Sequence, residues 1–320
     1  MMNEFTLIST YLKKLIKKNP NALNLEDDVF FEKKRQIVVS IDTYNEKIHF
    51  PNFSNPDFVV KKILRSSISD LISKGVKPKY FFISASGNHK HFTSRNLKKF
   101  TAALNTEQKK FNLKLSGGDT VNSKNLSFSV TALGFSKKIV KRNNAVINDD
   151  IYVAGNLGDS FVGLNILKKK FNVNKNLKKY FVSKYYMPNL YLKLTDDLLS
   201  FANSSIDISD GLISDLEKLI NKQKFSYKLE LGSIPISKNL KKMIFLKRLN
   251  KKNFVSQGDD YQILFTANSS KSRIIKKTSN FLGIKISKIG KICSHLLDNE
   301  IIDQKGKKIS LKNKGYSHKF

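Results

Sequence analysis

Cys293 is the only cysteine in 320 residues, which excludes an internal disulfide and a cysteine-rich metal site and fits a reducing cytosol. Histidine is scarce too, with five in the chain, and no Ser/His/Asp or Cys/His arrangement stands out, so covalent nucleophilic catalysis has little support. No apolar run approaches the length that spans a bilayer. The opening Met1-Met2-Asn3-Glu4-Phe5 lacks the basic start and apolar stretch of a signal peptide, so a soluble, cytoplasmic protein without a membrane partner is expected. Neither G-x-x-x-x-G-K-[ST] nor G-x-G-x-x-G occurs, which weakens P-loop and Rossmann readings. Acids are outnumbered, 26 against 58 basic residues, for a formal charge of +32. Such a charge attracts phosphate backbones. The lysines, however, are scattered in short groups such as Lys13-Lys14, Lys168 to Lys170 and Lys307-Lys308, with no zinc-finger, KH or RNP1-like signature. A solvated surface, no specific nucleic-acid partner and a preference for anionic substrates follow.

Against that scarcity, the stretch Ile206 to Leu216, I-D-I-S-D-G-L-I-S-D-L, crowds Asp207, Asp210 and Asp215 together. The apolar residues after it repeat at helical spacing, so Ser209 or Asp210 is expected to cap a helix and Gly211 to turn the chain. Capping alone would account for acids here. Asp27-Asp28, Asp42, Asp70, Asp119 and Asp259-Asp260 also fall at expected ends of strands or helices, which makes recurrence the informative signal.

Along the chain, the pattern predicts an amphipathic helix over Glu4 to Lys18, a strand over Gln36 to Asp42 and a helix over Asp57 to Ser73. Asp70 falls in the last turns of that helix, poorly placed for its dipole. A strand at Tyr80 to Ala85, a helix at Ser94 to Phe111, and strands at Leu113 to Val121 and Leu126 to Phe135 follow. Gly117-Gly118-Asp119 suits close backbone approach to a phosphate with a metal-binding acid beside it; a plain Gly-Gly turn with a solvated aspartate shows the same pattern. The basic stretch Lys137 to Asn148 divides the chain into domains at 1–140 and 141–320. The second half reads as strand Asp150 to Ala154, helices Ser160 to Lys169 and Leu190 to Ala202, the acidic motif, strand Tyr227 to Leu231, helix Leu240 to Leu249, strand Tyr261 to Thr266, helix Ser272 to Phe281 and a strand near Lys285 to Lys291 with a hairpin-like tail. Without long uninterrupted apolar strands, the fold class is α/β in mixed layers, not a fully buried parallel sheet.

Magnesium takes one or two protein carboxylates per ion and leaves the other positions to water and phosphate oxygens. Dispersed acids in both halves therefore suggest several Mg²⁺ ions in one cleft, clamping a polyphosphate. An acceptor that is already anionic needs no general base.

The ordered set N-E-F-x-L-I at Asn3 to Ile8, Asp27-Asp28, S-I-D-T at Ser40 to Thr43 with His49 beyond, S-D-L at Ser69 to Leu71, G-G-D-T at Gly117 to Thr120, D-I-S-D-G-L, G-D-D-Y at Gly258 to Tyr261 and G-Y-x-H at Gly315 to His318 resembles the thiamine-monophosphate kinase family over nearly the full chain. The resemblance implies a two-domain aminoimidazole ribonucleotide synthetase-like fold, a homodimer whose N-terminal strands build an intersubunit barrel, and transfer of the γ-phosphoryl group of ATP to thiamine monophosphate. It implies Asp28, Asp42, Asp70, Asp119, Asp207 and Asp210 as magnesium ligands with Ser40 as a helper, and Asp119 and Asp210 nearest the chemistry. Gly118, Asp119, Arg142 and Ser209 match nucleotide contacts, and His49, Asp259 and Tyr316 line the thiamine-phosphate pocket.

The chain departs from the pattern at Glu26, Ile41, Ser67 and Gln257, and at Asp259, where a glutamate is usual and the carboxylate is one methylene shorter. A purine-synthesis ligase leaves the Asn3 to Ile8 and Gly258 to Tyr261 matches unexplained, and selenophosphate synthetase would need a reactive Cys-Lys pair near the N-terminus. A basic nucleic-acid-binding protein is the alternative from another class.

Overall fold

A computed structural model of the chain describes residues 4–294, 298–311 and 314–316. The first half contributes α1 (Glu4–Leu7), β1 (Phe30–Glu32), β2 (Ile37–Asn45), α2 (Pro56–Ser73), β3 (Pro78–Gly87), α3 (Ser94–Phe111), β4 (Lys114–Asn122) and β5 (Ser127–Phe135). Its five-stranded sheet runs β1-β2-β5-β3-β4, antiparallel except for the β3/β4 pair. Next come β6 (Asp150–Ala154), α4 (Asp159–Leu167), α5 (Lys175–Tyr186), α6 (Thr195–Phe201), β7 (Ser204–Asp207), α7 (Leu212–Ile220), β8 (Ser226–Glu230), α8 (Lys238–Leu246), β9 (Ile263–Ala267), α9 (Ser272–Leu282), β10 (Ile286–Cys293) and β11 (Glu300–Ile302). These strands form a six-stranded sheet in the order β11-β8-β10-β6-β9-β7, with only β11/β8 parallel. The mixed layers expected from the sequence are observed.

Helix α2 organises the interior. Val59, Val60, Ile63, Leu64, Ile68 and Leu71 recur at helical spacing and are fully buried, packing with Val38, Phe81, Phe128, Val130 and Ala132 from the inner face of the first sheet. The same helix also touches β7 of the second sheet, so its polar residues stand between the two halves. A second apolar cluster, with Ile151, Val153, Ile206, Leu216, Leu229 and Ile292 at its centre, surrounds the second sheet. Among the described residues no helix is long and apolar enough to cross a membrane.

Three local expectations fail and one helix was not read. The helix expected over Glu4 to Lys18 is helical only over Glu4–Leu7, widens into a π turn at Ile8–Leu12 and leaves Tyr11, Leu12 and Leu15 exposed. None of the described residues of the π turn is fully buried, and a helix that buries so little is marginal at this length. Neither Ser209 nor Asp210 caps α7. Gly211 holds the cap position, and Asp215 inside the helix accepts the Asp210 and Gly211 backbone N–H groups at 3.0 and 2.9 Å. The helix expected from Leu190 starts at Thr195, after a 3-10 turn at Leu192–Leu194, and α5 is an additional helix not read from the sequence.

Candidate active site

A cavity of about 1150 Å³ opens where β2 and α2 face the turns that follow β7 and precede β9. Its volume lies just above the usual range for small-molecule sites, with room for more than one ligand. Asp27, Asp28, Asp42, Asp70, Asp207 and Asp210 all line it, drawn from a loop, a strand, a helix and the acidic motif. The acids dispersed along the sequence are thus neighbours in space.

Their environments differ. Asp27 and Asp28 are neutralised: the fully buried Lys74 ammonium lies 2.9 Å from Asp27 Oδ1 and 2.8 Å from Asp28 Oδ2, and the Arg142 guanidinium pairs with Asp28. The Arg142 backbone N–H also donates to Asp27 Oδ2 at 2.9 Å, so this arginine belongs to the site and not to a solvated linker. Asp210 pairs with Lys218, which also contacts Asp215 at 2.8 Å. Asp42, Asp70 and Asp207 form the less compensated group. Burial raises all three carboxyl pKa values. For Asp70 the negative charges of Asp42 and Asp207 push further in the same direction. Asp207 is pushed up to about 7, burial outweighing the Ser69 hydroxyl that donates to it at 2.6 Å.

That charge crowding tests whether divalent cations suit the site. Among the described residues no three potential ligands stand in a preformed metal-binding group. The donors are carboxylate oxygens spread around one cavity, and the repulsion that raises Asp70 is what a divalent cation relieves. Magnesium asks for few carboxylates and completes its shell with water and phosphate. The residues therefore fit Mg²⁺ bound together with a phosphorylated ligand.

Of the other sequence-derived candidates, Ser209, His49, Asp259 and Tyr316 also line the cavity. His49 Nδ1 accepts the Asn45 backbone N–H at 2.9 Å, and the Tyr316 backbone N–H donates to the Asp210 carbonyl at 3.0 Å, seating the tail on the acidic motif. Gly211 and Gly258 let the two acidic turns interlock: a Cβ on Gly211 would collide with the Ser256 carbonyl oxygen, and one on Gly258 with that of Ser209. His318 lies outside the described residues.

Ser40, Gly118 and Asp119 do not reach the cavity. Ser40 is buried beneath α2, donating to the Ser67 carbonyl at 3.2 Å. Gly118 lies so close to Ile83 that a side chain would strike its carbonyl, a packing reason for glycine. Asp119 sits on exposed β4 in register with Ser84, Ser129 and Thr43, on the face of the first sheet opposite Asp42. Sequence reasoning missed Lys62, Lys74 and Lys218, each paired with an acid at the cavity. Only Lys218 carried a local signal, its i,i+3 spacing from Asp215 on α7.

A two-sheet α/β fold with an acid-lined cleft between its halves defines the aminoimidazole ribonucleotide (AIR) synthase-like class, and residues 25–136 match the family model for AIR synthase related protein, N-terminal domain. The overall fold is shared with AaThiL complexed with AMPPCP and TMP, with a TM-score of 0.85 and 24% identity over 99% of this chain and 97% of that one. The thiamine-monophosphate kinase of Buchnera aphidicola from Acyrthosiphon pisum is 34% identical over 98% of each chain. That of Haemophilus influenzae is 31% identical over 91% of this chain and 89% of its own. The chain belongs to the thiamine-monophosphate kinase family.

Proposed function

We propose that this chain transfers the γ-phosphoryl group of ATP to thiamine monophosphate, giving thiamine diphosphate and ADP, in the cytoplasm. The observation that carries this reading is the match to a thiamine-monophosphate kinase along 98% of both chains at 34% identity. In this reading Asp28, Asp42, Asp70, Asp207 and Asp210 hold magnesium, with Ser40 bracing β2 from below. Magnesium, when bound, neutralises the phosphate oxygens and supports in-line displacement. Arg142 and Ser209 meet the nucleotide, and His49, Asp259 and Tyr316 surround the acceptor. The acceptor phosphate is its own nucleophile, so the protein's task is to align it with the γ-phosphate and to exclude water. No covalent intermediate is required.

Residues 1–140 supply the metal-binding strand and helix and the dimer contact, and residues 141–320 supply the nucleotide and acceptor turns. The homodimer forms through the open face of the first sheet, where Ile41, Phe82, Val121 and Phe135 are exposed, and its strands close into the intersubunit barrel. Gly118 and Asp119 lie on β4 outside the chain's own cavity, so in this reading they join the chemistry only once two chains assemble.

The test is product formation from purified protein with ATP, Mg²⁺ and thiamine monophosphate, with free thiamine as control. Thiamine diphosphate from the monophosphate alone, abolished by a chelator and restored by magnesium, is the expected result. A folded protein that yields neither ADP nor thiamine diphosphate overturns the assignment.

A further inference from the structure

Behind the acceptor side of the cavity, α2 carries a lysine that does not line it. Lys62 is fully buried, its ammonium 2.6 Å from Asp259 Oδ1, 4.0 Å from the Tyr185 ring centroid and 5.4 Å from that of Tyr261. An ammonium so enclosed is tolerated only when it is paired and held against aromatic faces. Asp259 and Tyr261 have φ values of 70° and 51°, left-handed conformations that non-glycine residues adopt only when their surroundings impose them. The backbone supplies part of that constraint, as the Asp259 and Tyr261 N–H groups donate to Ser209 and Ile208 carbonyls at 2.7 and 2.8 Å. The side chains supply the rest. Asp259 Oδ1 receives both Lys62 and, at 3.1 Å, the Tyr261 hydroxyl. Tyr185, the other face of the lysine box, donates its hydroxyl to the His49 carbonyl at 2.9 Å. One buried ammonium thus ties together the two walls assigned to the acceptor.

We infer that Lys62 is a positioning residue for the acceptor: it fixes Asp259 through Oδ1 and cancels its charge, leaving Oδ2 as a neutral-paired hydrogen-bond acceptor toward the substrate. The inference rests on the kinase reading of this cavity. The electrostatic reason is direct. An uncompensated carboxylate on this wall would repel a phosphate-bearing acceptor held beside a polyphosphate, in a cavity already crowded with acids. Paired with Lys62, Asp259 orients the acceptor without that repulsion.

The experiment is steady-state kinetics on Lys62→Met, Asp259→Asn and the double variant. Expected is a rise of about tenfold or more in KM for thiamine monophosphate in Lys62→Met, with kcat and KM for ATP within about twofold of wild type. Because the defect is an exposed negative charge, adding Asp259→Asn to Lys62→Met lowers that KM again. A merely structural lysine would give no such rescue. An unchanged KM in Lys62→Met, or losses shared equally among kcat and both KM values without rescue, overturns the inference while leaving the kinase reading intact. Absence of turnover in the wild type overturns the kinase reading itself and this inference with it. Should Lys62→Met fail to fold, the double variant is compared with Asp259→Asn: equal KM values are expected, since Lys62 acts through Asp259, and a higher value in the double variant overturns the inference.

Discussion

At the scale of single residues, the cavity is a set of carboxylates sorted by the cations beside them. Asp210 is paired with Lys218, while Asp215, a few residues on, is spent on the backbone N–H groups at the start of α7. The two acids of one motif therefore separate by function. Asp210→Asn is expected to preserve the thermal midpoint within a few degrees and to lower kcat by about 10²-fold or more, the size of effect seen when one electrostatic contact to the reacting group is removed. Asp215→Asn is expected to act on stability, because an amide presents one acceptor where the carboxylate serves two backbone donors and Lys218. Thermal melts and kinetics on the pair of variants check the division. Gly211→Ala combines a φ of 130° with a collision against the Ser256 carbonyl, and should cost about 2 kcal/mol or more in urea unfolding. Most of the acids that gather were legible in the sequence as part of an ordered motif set, but Asp119 and Asp260, singled out with them, do not line the cavity. The counter-ions were not legible. Lys62 meets Asp259 from 197 positions away, and among 58 basic residues nothing local distinguishes it.

At the scale of elements, α2 is the member that both halves share. Its inner face carries the apolar stripe, its flank carries Lys62 and Asp70 toward the acids of the cavity and Arg65 toward α3, and Lys74 follows at its end. Arg65 makes a two-pronged pair with Glu107, at 2.7 and 2.9 Å, and donates to the Pro188 carbonyl at 3.1 Å, with both charged side chains almost wholly buried. Breaking one side of such a pair leaves a buried charge, so Glu107→Leu alone should cost about 3 kcal/mol or more. Arg65→Met with Glu107→Leu should recover most of the loss, since a buried pair is often replaceable by apolar groups of similar volume. Denaturant midpoints for the single and double variants decide it. Helices with a strong internal stripe, α2 and α3, were readable nearly to their ends. The segment after Glu4 was overread, because periodicity records an apolar face without saying what it covers. α5 went unread because its basic, polar sequence carries only Phe181, Tyr185 and Tyr186 into the interior.

At the scale of the whole molecule, the first sheet presents one face to α2 and α3 and leaves the other to solvent. In register across β2, β5, β3 and β4 run Ile41, Thr131, Phe82 and Gly117, then Thr43, Ser129, Ser84 and Asp119. Ile41 is 68% exposed, Val121 53% and Phe135 52%. Exposed apolar residues on an open sheet face beside an edge strand suit cover by a second chain, which is why the proposed homodimer is placed here. Asp119 lies in the midst of that face, opposite the acids of the cavity. The G-G-D-T motif grouped Asp119 with those acids by family resemblance alone, and within one chain it stands apart from them. If the proposed homodimer forms through this face, Ile41→Lys with Phe82→Asp is expected to give a monomer by light scattering where the unaltered chain gives a dimer, with the circular dichroism spectrum unchanged. If Asp119 completes the site only across the interface, that monomer loses turnover although no cavity-lining acid has been altered, and Asp119→Asn in the intact dimer loses it too. A fully active monomer would place the whole reaction within one chain and remove Asp119 from it. An inactive dimer with Asp119→Asn, paired with an inactive monomer that keeps Asp119, would show that the reaction belongs to the assembly.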